Sequence, residues 1–163
     1  MLPDLKQLTR TKPSKVSIRQ IEGEAAIRSI FEETLLTAGE ILGYTNLEKV
    51  EKRLKDYLHY YAEERSRRRI RARFLSPFSE QSRKFLDTYY PRDIKRELTE
   101  IVFVDRGEFP FESEVYIYGN SVATFCRNPK ELIGVVVESA PFAQTYRSMF
   151  NLSWLGATTF ILS

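Results

Sequence analysis

Three sets of side chains in this sequence could do chemistry. The first is the single histidine, His59, whose imidazole could act as nucleophile, general base or metal ligand. The apolar spacing places it mid-helix on a mixed face. Cys126 is the single cysteine and lies far along the chain. Catalytic and metal centres need convergent partners, so His59 reads as structural, and the expectation is no catalytic residue, no metal and no cofactor. The second set is the run Arg65-Ser-Arg-Arg-Arg-Ile-Arg-Ala-Arg73. Guanidinium forks match phosphate, and Arg68, Arg69, Arg71 and Arg73 are the members that would hold an anion or a nucleic acid. The plainer reading is that cations suit a helix C-terminus and that alternating arginines give a strand one solvated face. The glycines and clustered aromatics of a nucleic-acid module do not accompany them.

The third set lies at strand ends, where ligands of open α/β sheets gather. Tyr44-Thr45-Asn46 and Ser76-Pro77-Phe78 would share one rim, with Arg127 and Asn128 facing them from a hairpin. Aromatic rings beside neutral hydrogen-bonding groups suit a polyol. The alternative is a row of ordinary strand ends and caps, and Asn46 would be an N-cap whatever the function.

The elements that must position these groups follow from periodicity. Val16–Ile21 alternates as a first strand, and a helix follows with Ala26, Ile27, Ile30, Phe31 and Leu35 inward, ending at Ala38-Gly39. Glu40–Thr45 is a short strand. The helix after Asn46 buries Leu47, Val50, Leu54, Tyr57, Leu58 and Tyr61. A third strand starts inside the arginine run, with Ile70, Ala72 and Phe74 alternating against Arg69, Arg71 and Arg73. Phe78–Tyr90 reads as a third helix with Phe85 and Leu86 inward, Pro91–Glu97 as a polar connector, and Thr99–Asp105 as a strand. Glu114–Tyr118, the turn Gly119-Asn120 and Ser121–Cys126 make a hairpin, broken by Arg127-Asn128-Pro129. Leu132–Glu138 is nearly all apolar and reads as a strand covered on both faces. Phe142, Tyr146, Met149, Phe150 and Trp154 then form a helical stripe to lie over the sheet. Strands alternating with helices, followed by a hairpin, give an α/β domain with a mixed sheet flanked by helices.

Composition narrows the classes. With 163 residues, 42% hydrophobic and 29% charged, the chain has the makings of one globular domain. A net charge of +3 does not demand a polyanionic partner. No apolar run reaches the length of a membrane span, the start carries no secretory signal, and a lone cysteine excludes an internal disulfide. The natural expectation is a cytoplasmic protein that does not enter membranes. Residues 1–15 are polar and basic, with Pro3 and Pro13, and read as a linker or arm. The domain is expected at 16–156, and 157–163 as a C-terminal tail.

Three phrases carry a family resemblance: Val115-Tyr-Ile-Tyr-Gly-Asn-Ser-Val-Ala-Thr124, Glu131-Leu-Ile-Gly-Val-Val-Val-Glu138, and Ala143 through Phe150 with Trp154. Their order resembles the closing half of a phospholipase D-type domain, and more closely the C-terminal effector domain of TrmB-like transcriptional regulators. The resemblance reaches back to about Val16. It implies a phospholipase D-like single domain, a homodimer, a sugar-like effector, and DNA contact only through a winged-helix module for which this chain has no room. In the resembled hydrolases a histidine attacks phosphorus, a lysine holds the phosphate and an aspartate orients the ring. Those places fall here at Phe111, Ser113 and Tyr118, none of which can play its role. Asn128 and Glu131 stand where that family often keeps a polar pair. The reading is a non-catalytic effector-sensing and dimerisation domain. The alternatives are a diverged phosphodiesterase or nuclease of the phospholipase D superfamily, and a nucleic-acid-binding module that uses Arg65–Arg73.

Overall fold

A computed structural model describes residues 16–128 and 130–161, with the side chains of residues 127, 128, 160 and 161 outside that description. The expected arm at 1–15 lies outside the described residues. Seven strands form one mixed sheet: β1 (Ser17–Glu22), β2 (Ile41–Tyr44), β3 (Ala72–Pro77), β4 (Thr99–Val104), β5 (Ser113–Tyr118), β6 (Ser121–Asn128) and β7 (Glu131–Glu138), in the order β1-β7-β6-β5-β2-β3-β4. β2, β3 and β4 run parallel, while β5, β6, β7 and β1 pair antiparallel beyond them. β2 is therefore the seam. It is parallel to β3 on one side and antiparallel to β5 on the other. The β5–β6 hairpin turns at Gly119-Asn120, where Gly119 has a φ of 52° that L side chains seldom adopt.

One face of the sheet is covered by α1 (Gly23–Thr34), α2 (Leu47–Arg67), α3 (Glu80–Tyr89) and the single turn α4 (Ile94–Glu97). α2 buries all six apolar positions expected of it, and Asn46 caps it, its Oδ1 accepting from the Lys49 N–H at 3.2 Å. α4 falls inside the stretch read as connector. Asp93 caps it and a turn this short carries no apolar periodicity to announce it. The other face is covered by α5 (Ala140–Ile161), which crosses β6, β5, β2 and β4. Its buried stripe is Ala143, Tyr146, Phe150, Trp154 and Ala157, while Phe142 and Met149 are 41% and 51% exposed. The helix is thus turned by about a residue from the expected stripe. Its partners, Leu42, Leu75, Ile117 and Val122, are centred on the seam and not on β7. For the same reason β7 is covered on one face only. Leu132 and Val136 are buried under the first layer of helices, but Val135 on the other face is 36% exposed. Among the described residues no helix is long and apolar enough to cross a membrane.

Three contacts hold the seam. The first is a close approach at Gly43, where an added Cβ would lie 2.8 Å from Phe74 Cδ1 and 3.3 Å from Tyr116 Cδ1. Without it, Phe74 and Tyr116 meet edge-to-face at 6.3 Å across β2, and Tyr116 continues the layer to Phe31 and Phe125. The second is Glu114, buried at the start of β5, whose carboxylate accepts the Asn46 N–H at 3.1 Å and the Tyr116 hydroxyl at 3.5 Å. It fastens β5 to the turn between β2 and α2. The third is Arg65, fully buried, whose guanidinium donates to the carbonyls of Ile70 (2.8 Å) and Leu98 (3.2 Å) and to Thr99 Oγ1. It ties the end of α2 to the entries of β3 and β4, so a member of the basic run is an internal strut.

Two stability predictions follow from the seam. Gly43→Ala should cost about 1–3 kcal/mol, because the buried rings must move to admit a methyl group. Gly39→Ala, where nothing lies within 4 Å of the new Cβ, should shift stability by less than about 0.5 kcal/mol. Urea unfolding of the two variants checks this, and equal effects would refute the close-approach account. For Glu114, burial pushes the carboxyl up to about 7, against the pull of the Thr45 hydroxyl and the Asn46 N–H. A folded value above the unfolded one means that the folded chain holds the proton more tightly. The contribution is therefore fully present below about 4.5 and lost as pH rises through about 7. It amounts to about 3 kcal/mol. Glu114→Gln should flatten the fall in stability between mildly acidic and mildly basic pH and should be the more stable protein on the basic side. An unchanged pH slope in the variant would contradict the assignment.

Candidate functional site

The parallel strands β2, β3 and β4 all end at one edge of the molecule, and α5 passes over that edge. Tyr44, the last residue of β2, turns toward α5. Its hydroxyl hydrogen-bonds Ser153 Oγ at 2.8 Å, and its ring meets Phe150 at 5.3 Å and Phe111 at 5.8 Å, both edge-to-face. Burial pushes the Tyr44 phenol up, partly offset by the Ser153 hydroxyl. Beyond it lies a cavity of about 430 Å³, enclosed by the ends of β3 and β4, the loop at 105–112 and the C-terminal half of α5. Leu75, Val104 and Ala157 form apolar wall, and Tyr44, Phe103, Phe109 and Phe111 contribute aromatic lining. The charged residues that line it are Asp105 and Glu108. Asp105 Oδ1 accepts the N–H groups of Gly107 and Glu108 at 2.8 and 2.9 Å, which sets the loop.

The residues expected from sequence at this edge divide into two groups. Tyr44 lines the cavity, and Phe78, 44% exposed, stands outside it with its ring edge-on to Phe103 at 5.8 Å. Thr45, Asn46 and Ser76 are buried and occupied with the chain itself. Thr45 Oγ1 bonds the Tyr116 hydroxyl at 2.9 Å, Asn46 caps α2, and Ser76 Oγ accepts the Leu47 N–H at 3.4 Å. Arg127 and Asn128 continue β6, paired through the backbone with Leu132 and Glu131, and their side chains lie outside the described residues. Sequence reasoning missed Phe103, Phe109, Asp105, Glu108 and Ser153 as lining. The one available signal was Phe109-Pro-Phe111, two aromatics in a Gly- and Pro-containing loop where solvent exposure alone would not favour them.

The remaining candidates are placed as follows. His59 is exposed on α2, with its ring 4.7 Å from that of Tyr89. Tyr61, two residues on, is buried and bonds Thr34 Oγ1 at 2.7 Å. Of the hydrolase motif places, Phe111 packs on Tyr44, Ser113 is exposed at the start of β5, and Tyr118 donates to Glu33 at 3.0 Å at the far end of that strand. Within the arginine run, Arg68 bonds Glu64 (3.1 Å) and the Leu35 carbonyl (3.0 Å). Arg73 pairs with Glu40 at 2.9 Å and lies over the rings of Phe150 and Trp154 at 5.5 and 5.2 Å, pinning α5 to the sheet. Arg69 and Arg71 are exposed and carry no ion pair among the described residues, and Arg69 turns the chain with a φ of 56°. Among the described residues no group of three or more His, Cys, Asp or Glu is placed to hold a metal ion.

No protein-family model matches the chain, and no curated protein matches it in sequence. Among the solved structures that share its architecture are two proteins. The first is TrmBL2, described as an archaeal chromatin protein that shows a novel mode of DNA binding. It superposes with a TM-score of 0.64 over 96% of this chain at 15% identity. This chain spans 58% of that protein's length. The second is NucT from Helicobacter pylori, with a TM-score of 0.60 over 88% of this chain and 98% of its own, at 10% identity. The α/β, phospholipase D-like fold with a mixed sheet flanked by helices, expected from the hairpin and strand phrases, is the fold of this chain, and 96% of this chain shares it with TrmBL2.

Proposed function

We propose that this chain is a non-catalytic effector-sensing and dimerisation domain of a TrmB-like transcriptional regulator, acting in the cytoplasm. One observation carries the reading. At the edge of the sheet where ligands bind in such folds, Phe111 packs into an aromatic wall where the resembled hydrolases keep their nucleophile, and beside it stands a cavity of about 430 Å³. Ser113 and Tyr118 supply neither an ammonium nor a carboxylate. A pocket of that size, apolar with a few polar groups, suits small-molecule binding. TrmBL2 is described as binding DNA, and this chain spans 58% of it. In this reading DNA is contacted by a separate module, while the present domain senses a metabolite. The structural employment of Arg65, Arg68 and Arg73 supports that division. Bis(4-nitrophenyl) phosphate should not be turned over above the buffer rate. Turnover that survives repurification and is lost in Ser113→Ala or His59→Ala would overturn the non-catalytic reading.

Exposed apolar side chains support the proposed dimer. Along α5, Phe142, Met149, Leu152 and Leu155 are 41%, 51%, 72% and 65% exposed, and Val135 and Ile18 of the sheet are 36% and 72% exposed. An apolar surface of this kind marks an association face, and a two-fold axis would let it cover itself. Sedimentation should show a dimer at roughly tens of micromolar, and Leu152→Glu with Leu155→Glu should give a monomer of unchanged secondary structure. Wild type that stays monomeric throughout that range would count against the dimer.

A further inference from the structure

The cavity beneath α5 carries more information than its size, because its chemistry selects a class of occupant. Its walls are hydrocarbon and aromatic ring, and the hydroxyl groups of Tyr44 and Ser153 satisfy each other at 2.8 Å. A polyol would bring many hydroxyls to a surface with few partners for them, and each buried unpaired group costs about 1–3 kcal/mol. An anion would meet Asp105 and Glu108 with no lysine or arginine among the lining residues. A purely apolar molecule would fit the walls but make no use of the negative charge of those two carboxylates.

We propose that this cavity binds a hydrophobic organic cation, an ammonium group carrying apolar substituents. The proposal rests on the reading of the domain as an effector sensor and names the chemical class of the effector. Tyr44, Phe109 and Phe111 bring three π-systems to the lining, with Tyr44 and Phe111 edge-to-face at 5.8 Å. Aromatic rings around a cation with bulky apolar substituents are attractive because the ring faces are negative, while the substituents bury apolar surface. The Asp105 carboxylate is held in place through Oδ1 by the backbone N–H groups of Gly107 and Glu108, and the Glu108 side chain is exposed at the rim. Both add negative potential at a lining otherwise free of charge. A volume of about 430 Å³ lies within the range of drug-sized ligand sites.

Isothermal titration of the wild-type chain with matched probes tests this. Benzyltrimethylammonium is the cation, 2,2-dimethylpropylbenzene its neutral isostere, phenylacetate the anion, and maltose the polyol. The cation should bind about tenfold or more tightly than its neutral isostere, and phenylacetate and maltose should give no saturable heat. Asp105→Asn with Glu108→Gln should remove the preference over the isostere. Gly156→Leu should abolish binding by filling the cavity. An added Cβ there meets nothing within 4 Å, and leucine is a better helix former than glycine, so this variant keeps its fold. Saturable binding of maltose, phenylacetate or the neutral isostere in preference to the cation, lost in Gly156→Leu, would overturn the proposed class and leave the sensing reading standing. Binding of no probe would overturn the proposal, and phosphodiester turnover would in addition overturn the sensing reading.

Discussion

The close packing of Phe74 and Tyr116 across Gly43 is the constraint on which the rest of the molecule depends. β2 is the one strand that pairs parallel on one side and antiparallel on the other, so both halves of the sheet take their register from it. The missing Cβ lets two large rings from β3 and β5 close over the seam. That contact starts an aromatic layer running to Phe31 of α1 and Phe125 of β6. On the opposite face of the same strand, Leu42 and Tyr44 receive α5. One short strand thereby joins two cores, Glu114 locks the turn that leaves it, and Arg65 ties the end of α2 to the entries of β3 and β4. Burying an ionisable carboxyl and a guanidinium is costly, and each is retained where backbone groups would otherwise lack partners.

The same seam decides what stands at the ligand edge. Because Thr45 and Ser76 point into the first core and satisfy it, their hydroxyls are spent on the fold. Tyr44, one residue earlier, points the other way by strand alternation and becomes part of the cavity. The loop at 105–112 then supplies rings and carboxylates where a phosphate-transferring site would need an imidazole and a cation. The edge is apolar because α5 is laid over it and pinned there by Arg73, stacked on Phe150 and Trp154 and paired with Glu40.

Much of the fold was legible because it rests on local periodicity. The buried stripe of α2, the cap at Asn46, the hairpin around Gly119 and the strands β2 to β4 all follow from spacing and turn chemistry over a few residues. What was not legible depends on which element covers which. The Leu132–Glu138 run is apolar throughout, but its second face is open because α5 centres on β2 and β5. Likewise, Phe142 and Met149 share helical spacing with Phe150, and only the sheet beneath decides that the stripe runs through Ala143 and Ala157 instead. The site was half legible for the same reason. Strand ends can be read from sequence, but alternation sends Tyr44 and Thr45 to opposite faces, and the loop that completes the cavity has no period at all. The arginine run looked uniform as sequence, and structure divides it into a buried strut at Arg65, two partners of Glu64 at Arg67 and Arg68, a helix pin at Arg73, and Arg69 and Arg71, which carry no ion pair among the described residues.

The proposal to be tested is that this edge of the sheet takes a hydrophobic organic cation and not phosphate. The most direct measurement is a titration of the chain with inorganic phosphate, followed through backbone amide chemical shifts. The account predicts no saturable shift at Tyr44, Asp105, Phe111 or Ser113 into the millimolar range, with any change confined to exposed cations such as Arg69 and Arg71. Saturable shifts centred on Ser113 and Phe111 would contradict it, because a phosphate site would then occupy the edge proposed for the organic cation.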